Sequence, residues 1–202
     1  MPKIVDHGER RREVLDATWR VIARCGLEGT TVRRIAEEAG YSQGVLAHYF
    51  RDKNDILVSA HELAYSRARS RIAAATHGHI GLKALRLAML EALPLDAERY
   101  LEAQVDVSFL GLTVGSEYLR QVRSASDAVS RIRWKSYVTD AQRIDEVDPE
   151  ENADHIVDDV MGLIESLSIE AIINPERVDA AHQIAATDRL LARVSRAPGG
   201  PR

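Results

Sequence analysis

This 202-residue chain has one cysteine, few aromatic residues and no long apolar run. Because Cys25 is alone, no disulfide can form within the chain, which fits a reducing compartment. We expect Cys25 to be a buried thiol in the first helix. The stretch Arg10–Arg12 occupies a place where a signal peptide would need apolar residues, and no run of about 18 apolar residues occurs. The sequence therefore predicts a soluble, cytoplasmic protein without a membrane partner.

The shortage of aromatic residues, only 5% of the chain, also argues against a β-sandwich. Alanine, leucine, isoleucine and valine dominate the apolar set, and nearly every segment repeats its apolar residues at helical period. Glycine, proline and asparagine separate these segments. The sequence predicts an all-α fold of about nine helices, with later helices near residues 82–93, 95–110, 116–144, 150–173 and 176–195.

The chain has no excess of positive charge, since its net charge is −4, and its basic residues are unevenly distributed. Residues 1–53 hold ten Lys or Arg against eight Asp or Glu, whereas the remaining residues hold 17 against 23. A mildly basic head on an acidic body fits a protein that contacts DNA with one end only. We therefore expect a DNA-binding domain at 1–53, a helical regulatory and dimerisation domain at 54–196, and a disordered tail at 197–202.

The segment Thr30–Phe50 has the spacing of a helix-turn-helix. Thr30 is a candidate N-cap for a helix ending at Ala39, and Gly40 permits the tight turn. Ser42 is the next candidate N-cap, and a short third helix follows it. Helix–glycine–helix pairs also occur as plain packed helices, so the spacing alone leaves that alternative open.

The outer face of the third helix lacks bulky apolar side chains, so it can enter a major groove about 12 Å wide. Gln43 can pair with an adenine edge, and Gly44 lets the backbone approach the DNA. Val45 and Ala47 can meet thymine methyl groups. The residues expected at phosphates are Thr31, Arg33, Arg34, His48, Tyr49 and Lys53, and Ser42 completes the predicted DNA-binding set. One unit reads few base pairs, which predicts a dimer on a palindromic site.

The stretch Gly29–Leu57 resembles the N-terminal signature of TetR-family repressors. The matching positions are Ile35-Ala36, Ala39-Gly40, Ser42, Gly44, Leu46, Tyr49-Phe50 and Lys53. The third helix is similar to that of the BetI-like subgroup, although His48-Tyr49 reverses a common order and Ala47 replaces a frequent tyrosine. The resemblance implies a repressor released by a small-molecule effector, whose binding shifts the fourth helix and changes the separation of the two reading heads. It also implies that helices four to seven enclose the effector and that the last two helices pair in a homodimer.

Candidate residues for these two regulatory roles lie in the predicted body. An effector pocket would draw on aromatic side chains with isolated polar groups, and a carboxylate beside aromatic rings would favour a cationic ligand. The candidates are Tyr100, Gln104, Asp106, Phe109, Tyr118, Trp134 and Tyr137. The candidate interface residues are Ile156, Val160, Met161, Ile164, Leu167, Ala181, Ile184 and Leu191. The alternative for both sets is that they simply form the core of one chain.

Other chemistry finds little support in the sequence. His77 and His79 lie close together but lack an evident third ligand, so no metal site and no cofactor are expected. No catalytic constellation or phosphate-binding glycine loop is present, which argues against an enzyme. Three other functions stay open: a DNA-binding protein without a ligand, an all-α enzyme, and an interaction module without DNA.

Overall fold

The computed structural model of the protein describes residues 7–196, apart from the side chains of residues 7, 27 and 28. Within that range the chain forms nine α-helices and no strand, with one isolated antiparallel bridge between Val147 and Ser195. The helices are α1 His7–Gly29, α2 Val32–Ala39, α3 Gln43–Tyr49, α4 Lys53–Thr76, α5 Gly81–Ala92, α6 Ala97–Thr113, α7 Glu117–Arg143, α8 Ala153–Ile173 and α9 Ala180–Val194. The predicted all-α class is confirmed. None of these nine helices is long and apolar enough to cross a membrane.

The chain divides into two compact units. The first comprises the residues up to Ser66 together with Gln104–Val122, and the second comprises Arg67–Ala103 and the residues from Arg123 onward. Each unit draws on two stretches of chain, whereas the predicted domain limits, 1–53 and 54–196, follow the sequence. Those limits stay a prediction about function, and the predicted disordered tail, 197–202, lies outside the described residues.

The long first helix changes direction at a glycine. Gly26 has φ 63° and ψ −179°, a conformation that only glycine adopts readily, so the regular helix is interrupted there. The inward face of α1 includes Val14, Thr18 and Val21, each without exposed surface. The prediction of a buried Cys25 is wrong: its side chain is exposed, because the inward face ends one turn before the break at Gly26.

The two short helices are held by the caps that their sequences supply. Thr31, one residue later than predicted, is the N-cap of α2, and its hydroxyl accepts a hydrogen bond from the Arg34 backbone N–H at 3.2 Å. Thr30 instead donates its hydroxyl to the Gly26 carbonyl at 2.7 Å. Gly40, with φ 73°, ends α2 in the left-handed conformation, and Ser42 caps α3 as predicted. These caps fix the helix-turn-helix geometry.

The second unit contains two clusters of buried residues. One cluster joins α4, α5, α7, α8 and α9 through large side chains such as Met89, Trp134 and Ile156. A smaller cluster packs Leu93 against Leu167 and Val178. Helices α6, α8 and α9 begin two to four residues later than predicted, because polar side chains cap them further along the chain. The capping residues are Asp96, Asn152 and Asp179.

Candidate DNA-reading surface and regulatory sites

The third helix presents a small, polar outer face. Gln43, Gly44, Ala47 and His48 are exposed, while the side chain of Leu46 is buried on the opposite face. Phe50 follows the helix and is also buried, so the pair Leu46–Phe50 anchors α3 to the rest of the unit. Of the predicted base-reading residues, only Val45 is half-buried. The structure thus brings the predicted reading set onto one accessible surface.

Gly44 is not required by the packing of the protein itself. A Cβ atom built on Gly44 would lie 3.8 Å from the Ser42 hydroxyl oxygen, an ordinary van der Waals distance, and would meet nothing closer outside its own helix and chain neighbours. The backbone of Gly44 is helical, so an alanine could adopt it without strain. A glycine here therefore costs helix stability without a reason internal to the chain. Close approach of another molecule to the α3 backbone would supply the reason.

The predicted phosphate contacts of α2 are partly engaged within the protein. The Arg34 guanidinium donates a hydrogen bond to the Gly29 carbonyl at 2.8 Å, which satisfies the end of α1. Arg33 is more exposed, with 72% of its side chain accessible. Its Nε lies 3.5 Å from Oε1 of Glu37 on the next turn. Thr31 is the cap of α2 but stays exposed. Arg33 is therefore the α2 side chain best placed to meet a phosphate.

The remaining predicted contacts cluster at the junction of α3 and α4. The rings of His48 and Tyr49 meet edge to face, with centroids 5.6 Å apart. Lys53 is the first residue of α4, and the N-terminus of a helix favours an anion. Ser42 stays exposed while its hydroxyl accepts a bond from the Val45 backbone N–H at 3.3 Å. These groups flank the reading face of α3.

Sequence reasoning missed the arginines of α1 as part of this surface. The guanidinium carbon of Arg10 lies 5.7 Å from the centre of the Tyr41 ring. A hydrogen bond to Tyr49 raises the pKa of the Arg10 guanidinium. The phenol of Tyr41 donates a hydrogen bond to Glu13, which raises the pKa of Tyr41. The run Arg10–Arg12 contributes to the basic charge of residues 1–53 and argues against a signal peptide, but its spacing does not reveal a contact with Tyr41 or Tyr49. These contacts attach the N-terminal helix to the reading surface.

Helices α1 and α2 are also joined by an ion-pair network around one carboxylate. Glu38 accepts hydrogen bonds from Arg20 at 2.7 Å and from Arg24 at 2.6 Å. These two bonds hold the pKa of Glu38 below its usual value. The network fixes α2, which in turn carries the turn at Gly40.

A buried histidine is the second notable group of the first unit. His61 on α4 has no exposed surface, and its ring stacks on Phe109 with centroids 4.2 Å apart. Tyr65 covers it from another side at 4.6 Å. Its Nδ1 lies 3.3 Å from a carboxylate oxygen of Asp106, yet neither ring nitrogen has an aligned hydrogen-bond partner within residues 7–196. A buried polar group without an aligned hydrogen-bond partner is a candidate for contact with a ligand or a water molecule.

The predicted pocket residues do not form one group in the structure. Asp106 and Phe109 meet around His61, whereas Trp134 and Tyr137 contact each other in the second unit, with ring centroids 6.3 Å apart. Tyr118 is half exposed at the start of α7. Tyr100 and Gln104, on α6, are both half-buried. His61 was missed because it lies within an apolar stripe of α4 and reads there as a core residue.

Half of the predicted interface residues pack inside the chain. Ile156, Val160, Leu167 and Leu191 are buried in the clusters of the second unit, so they are not available to a partner. Ala181 is exposed; the half-buried members of the predicted set are Met161, Ile164 and Ile184. The outer surfaces of α8 and α9 nevertheless form an open groove of about 550 Å³. It is lined by Asp158, Asp159, Gly162, Leu163, Ala186, Arg189, Leu190 and Arg193.

No group of three or more potential metal-ligating His, Cys, Asp or Glu side chains occurs among the described residues. This includes the surroundings of His77 and His79, which lie in and just after a turn.

Comparison with known proteins assigns both parts of the chain. Residues 14–60 match the profile of the "Bacterial regulatory proteins, tetR family", and residues 82–196 match that of the "BetI-type transcriptional repressor, C-terminal". The chain is 31% identical to the HTH-type transcriptional regulator PksA of Bacillus subtilis, over 89% of this chain and 86% of that protein. The chain belongs to the TetR family of bacterial transcriptional regulators.

One further relative and one solved structure are also similar to this chain. The HTH-type transcriptional regulator BetI of Escherichia coli is 36% identical, over 54% of this chain and 49% of that protein. A crystal structure of a transcriptional regulator from Saccharomonospora viridis in complex with choline superposes with a TM-score of 0.85. It is 21% identical and covers 93% of this chain and 98% of its own, which shows the shared fold.

As a TetR-family member, the chain is a DNA-binding transcriptional regulator, and its named relatives are regulators rather than enzymes. The family profile for DNA binding spans α2, α3 and the start of α4, the elements that carry the exposed reading face. The expected family, function class and helix-turn-helix are therefore confirmed.

Proposed function

We propose that the protein is a dimeric repressor that binds a palindromic operator and leaves it when a small organic cation binds near His61. The exposed face of α3 carries this proposal. Gln43, Gly44 and Ala47 offer few base contacts, so one reading head has too little information for a specific site. Two heads on a two-fold axis would read half-sites about 34–36 Å apart in successive major grooves.

DNA binding is tested with the DNA that flanks the protein's own gene. Fluorescence anisotropy of a labelled duplex, measured as salt is raised, should show affinity falling steeply, since bound arginine and lysine side chains displace counterions. A scrambled duplex of the same composition is the control. Equal affinity for both duplexes at every salt concentration would contradict the proposal of a specific operator.

The proposed dimer contact is the outer face of α8 and α9. Gly162, Ser166 and Ile173 lie on one side of α8 at intervals of four and seven residues, and Ile173 is 65% exposed. The open space above Gly162 would let a partner helix approach closely, since a Cβ there would meet no atom within 4 Å. Charges frame the groove: Arg193 donates to Asp159 at 2.5 Å. Two copies of such a helix pair form a four-helix bundle across a two-fold axis.

A bulky side chain at the centre of this face should separate the chains. We expect Gly162→Trp to give a monomer by light scattering coupled to size-exclusion chromatography. Gly111→Trp is the matched control, because Gly111 is also an exposed helical glycine with open space around it. A dimer that persists in Gly162→Trp, or a wild-type protein that is monomeric at micromolar concentration, would contradict the α8–α9 interface.

The proposed effector contact is the carboxylate of Asp106 beside the buried ring of His61. Asp106 has 29% of its side chain exposed, and the neighbouring imidazole stacks on the Phe109 ring and contacts the Tyr65 ring. A carboxylate beside aromatic faces favours a cation, which gains both charge attraction and cation–π contact. The Saccharomonospora viridis regulator was crystallised with choline, an organic cation of this class. Choline is therefore the first probe.

The charge of the effector is tested with a matched pair of molecules. We expect choline to raise the melting temperature and to release labelled operator, while 3,3-dimethylbutan-1-ol, its uncharged isostere, does neither. Asp106→Asn keeps the shape of the side chain but should remove the response to choline. An equal response to both molecules, or an unchanged response in Asp106→Asn, would overturn the cation assignment.

Release requires that the effector bind the DNA-free conformation more tightly than the DNA-bound one. Because His61 lies on α4, which begins directly after the reading head, a shift of α4 is the proposed route. By reciprocity, saturating operator should weaken effector binding by the same factor as the effector weakens operator binding.

A further inference from the structure

Arg11 joins three elements of the reading unit through one guanidinium. Its Nη1 donates to the backbone carbonyl of Tyr49 at 3.0 Å, and its Nη2 donates to the Ser59 hydroxyl at 2.5 Å. The guanidinium carbon lies 4.4 Å from the centre of the Phe50 ring. A side chain of α1 therefore ties the end of α3 to the second turn of α4.

The chemistry of each contact suits a cation held in one place. The carbonyl of Tyr49 is at the C-terminus of α3, where the partial charge of a helix is negative and a cation is stabilising. The face of the Phe50 ring attracts the guanidinium through its quadrupole. Ser59 is only 5% exposed, so its hydroxyl has little access to competing water. Arginine, with its planar fork, can satisfy the two oxygen partners at once, whereas lysine cannot match this geometry.

A seven-residue helix depends on such contacts for its orientation. Isolated helices of this length are not stable in water, so the packing around α3 decides where it points. Its inward side is held by Leu46, and its C-terminus by Arg11. Gln43 and Gly44 lie at the opposite, N-terminal end of the same short helix. A small tilt at the Tyr49 end therefore displaces Gln43 and Gly44.

Three consecutive residues of α4, beginning with Ser59, each contact another helix. Ser59 binds Arg11, and the carbonyl of Ala60 accepts a hydrogen bond from the Trp19 indole at 3.2 Å. His61, the next residue, faces Asp106 on α6. Successive helical residues point about 100° apart, so one turn of α4 contacts α1 and α6 on different sides. A displacement at His61 is thus carried directly to the residue that holds Arg11.

We propose that Arg11 is a positioning residue for the reading helix, which sets the orientation of α3 relative to α4 without touching DNA. This inference rests on the proposed operator binding. In this proposal the hydrogen bond between Arg11 and Ser59 transmits a shift of α4 to α3. The competing explanation is a direct phosphate contact by Arg11, whose guanidinium carries five N–H donors.

The test uses Arg11→Lys, Ser59→Ala and the double variant. Arg11→Lys keeps the positive charge but loses the fork, and Ser59→Ala leaves Arg11 in place but removes its α4 partner. Operator affinity is measured by fluorescence anisotropy on the duplex that the wild-type protein selects from a random DNA library. We expect each single variant to weaken binding about tenfold, and the double variant to weaken it no further, because both remove one bridge.

Three measurements separate positioning from other roles. The slope of log affinity against log salt should be unchanged in Arg11→Gln, which removes the positive charge, whereas loss of a phosphate contact would reduce it by about one. Melting temperatures report any general loss of stability. The NMR signal of the His61 ring should shift when wild-type protein binds the duplex, and this shift should be lost in Arg11→Lys saturated with DNA. A merely structural role would leave that shift in place.

The outcomes are distinct. If the wild-type protein selects no DNA, the proposed operator binding fails rather than this inference. If the wild-type protein binds but Ser59→Ala has wild-type affinity, or the single effects add fully in the double variant, the Arg11–Ser59 bridge does not position α3. A lower salt slope in Arg11→Gln would instead assign Arg11 to a phosphate.

Discussion

Gly44→Ala should make the protein more stable and a weaker DNA binder. The substitution adds one methyl group on the exposed face of α3. Inside the protein this methyl meets only the Ser42 hydroxyl, at 3.8 Å, so it introduces no strain. Alanine is favoured over glycine in a helix by about 0.5–1 kcal/mol. For a chain of this size that gain corresponds to a rise in melting temperature of about 1–4 °C.

The expected loss of operator affinity comes from the approach of α3 to the DNA. If the backbone at Gly44 lies against the edges of bases, the methyl must push the helix away from them. Loss of one good base contact typically costs about 1–3 kcal/mol, and both half-sites of a dimer carry the change. The summed cost of about 2–6 kcal/mol corresponds to at least about a thirtyfold weaker complex.

The assay compares Gly44→Ala with Gly111→Ala, an exposed helical glycine on α6 with open space around it. Both variants should melt above the wild-type protein, but only Gly44→Ala should bind the operator less tightly in fluorescence anisotropy. The reasoning is refuted if Gly44→Ala binds like the wild-type protein. It is also refuted if Gly44→Ala melts at a lower temperature, since an internal constraint would then explain the glycine.

Three further changes test other parts of the surface. Lys53→Ala should weaken binding to all DNA sequences and lower the salt slope by about one, and an unchanged slope in an anisotropy titration would remove Lys53 from the phosphate contacts. Gln43→Ala should instead change which bases are selected at one position of each half-site, as read by sequencing of selected duplexes; an identical selected sequence would argue against base readout by Gln43. Glu38→Gln should lower the melting temperature slightly at pH 7, and this loss should shrink as the pH falls below about 4.5. The pKa of Glu38 is lowered from its usual value of 4.5, so its stabilisation is present above that value and is lost as the pH falls through the folded value; a loss that stays constant as the pH is lowered would contradict the ion-pair network.

The helix-turn-helix could be predicted in detail because its signals are local. Caps and turns depend on residues a few positions apart, so Gly40 and Ser42 were placed correctly from spacing alone. The error at Thr30 has the same origin. Two adjacent threonines can both cap a helix, and only the turn after Gly26 decides that Thr31 does so.

The regulatory sites were harder to predict because they depend on contacts between distant segments. His61 and Asp106 are 45 positions apart in the sequence, and nothing in their local patterns shows that they face each other. The interface candidates on α8 illustrate a related limit. An apolar stripe such as Ile156, Val160 and Leu167 marks the buried face of a helix, but not whether its own chain or a partner covers it.

The bridge made by Arg11 illustrates a third limit. An exposed basic run near a terminus ordinarily indicates solvent or phosphate contact, and the sequence does not reveal that one of its arginines turns inward to Tyr49 and Ser59. Such a contact emerges only when α1, α3 and α4 are assembled.

Selection of binding sites from a random DNA library, followed by mass measurement of the selected complex, tests the central claim most directly. The account predicts an enriched inverted repeat whose half-sites are about one helical turn or a small multiple of it apart, bound by two chains in each minimal complex. Enrichment of an asymmetric site bound by one chain, or no enrichment above a scrambled control, would contradict it.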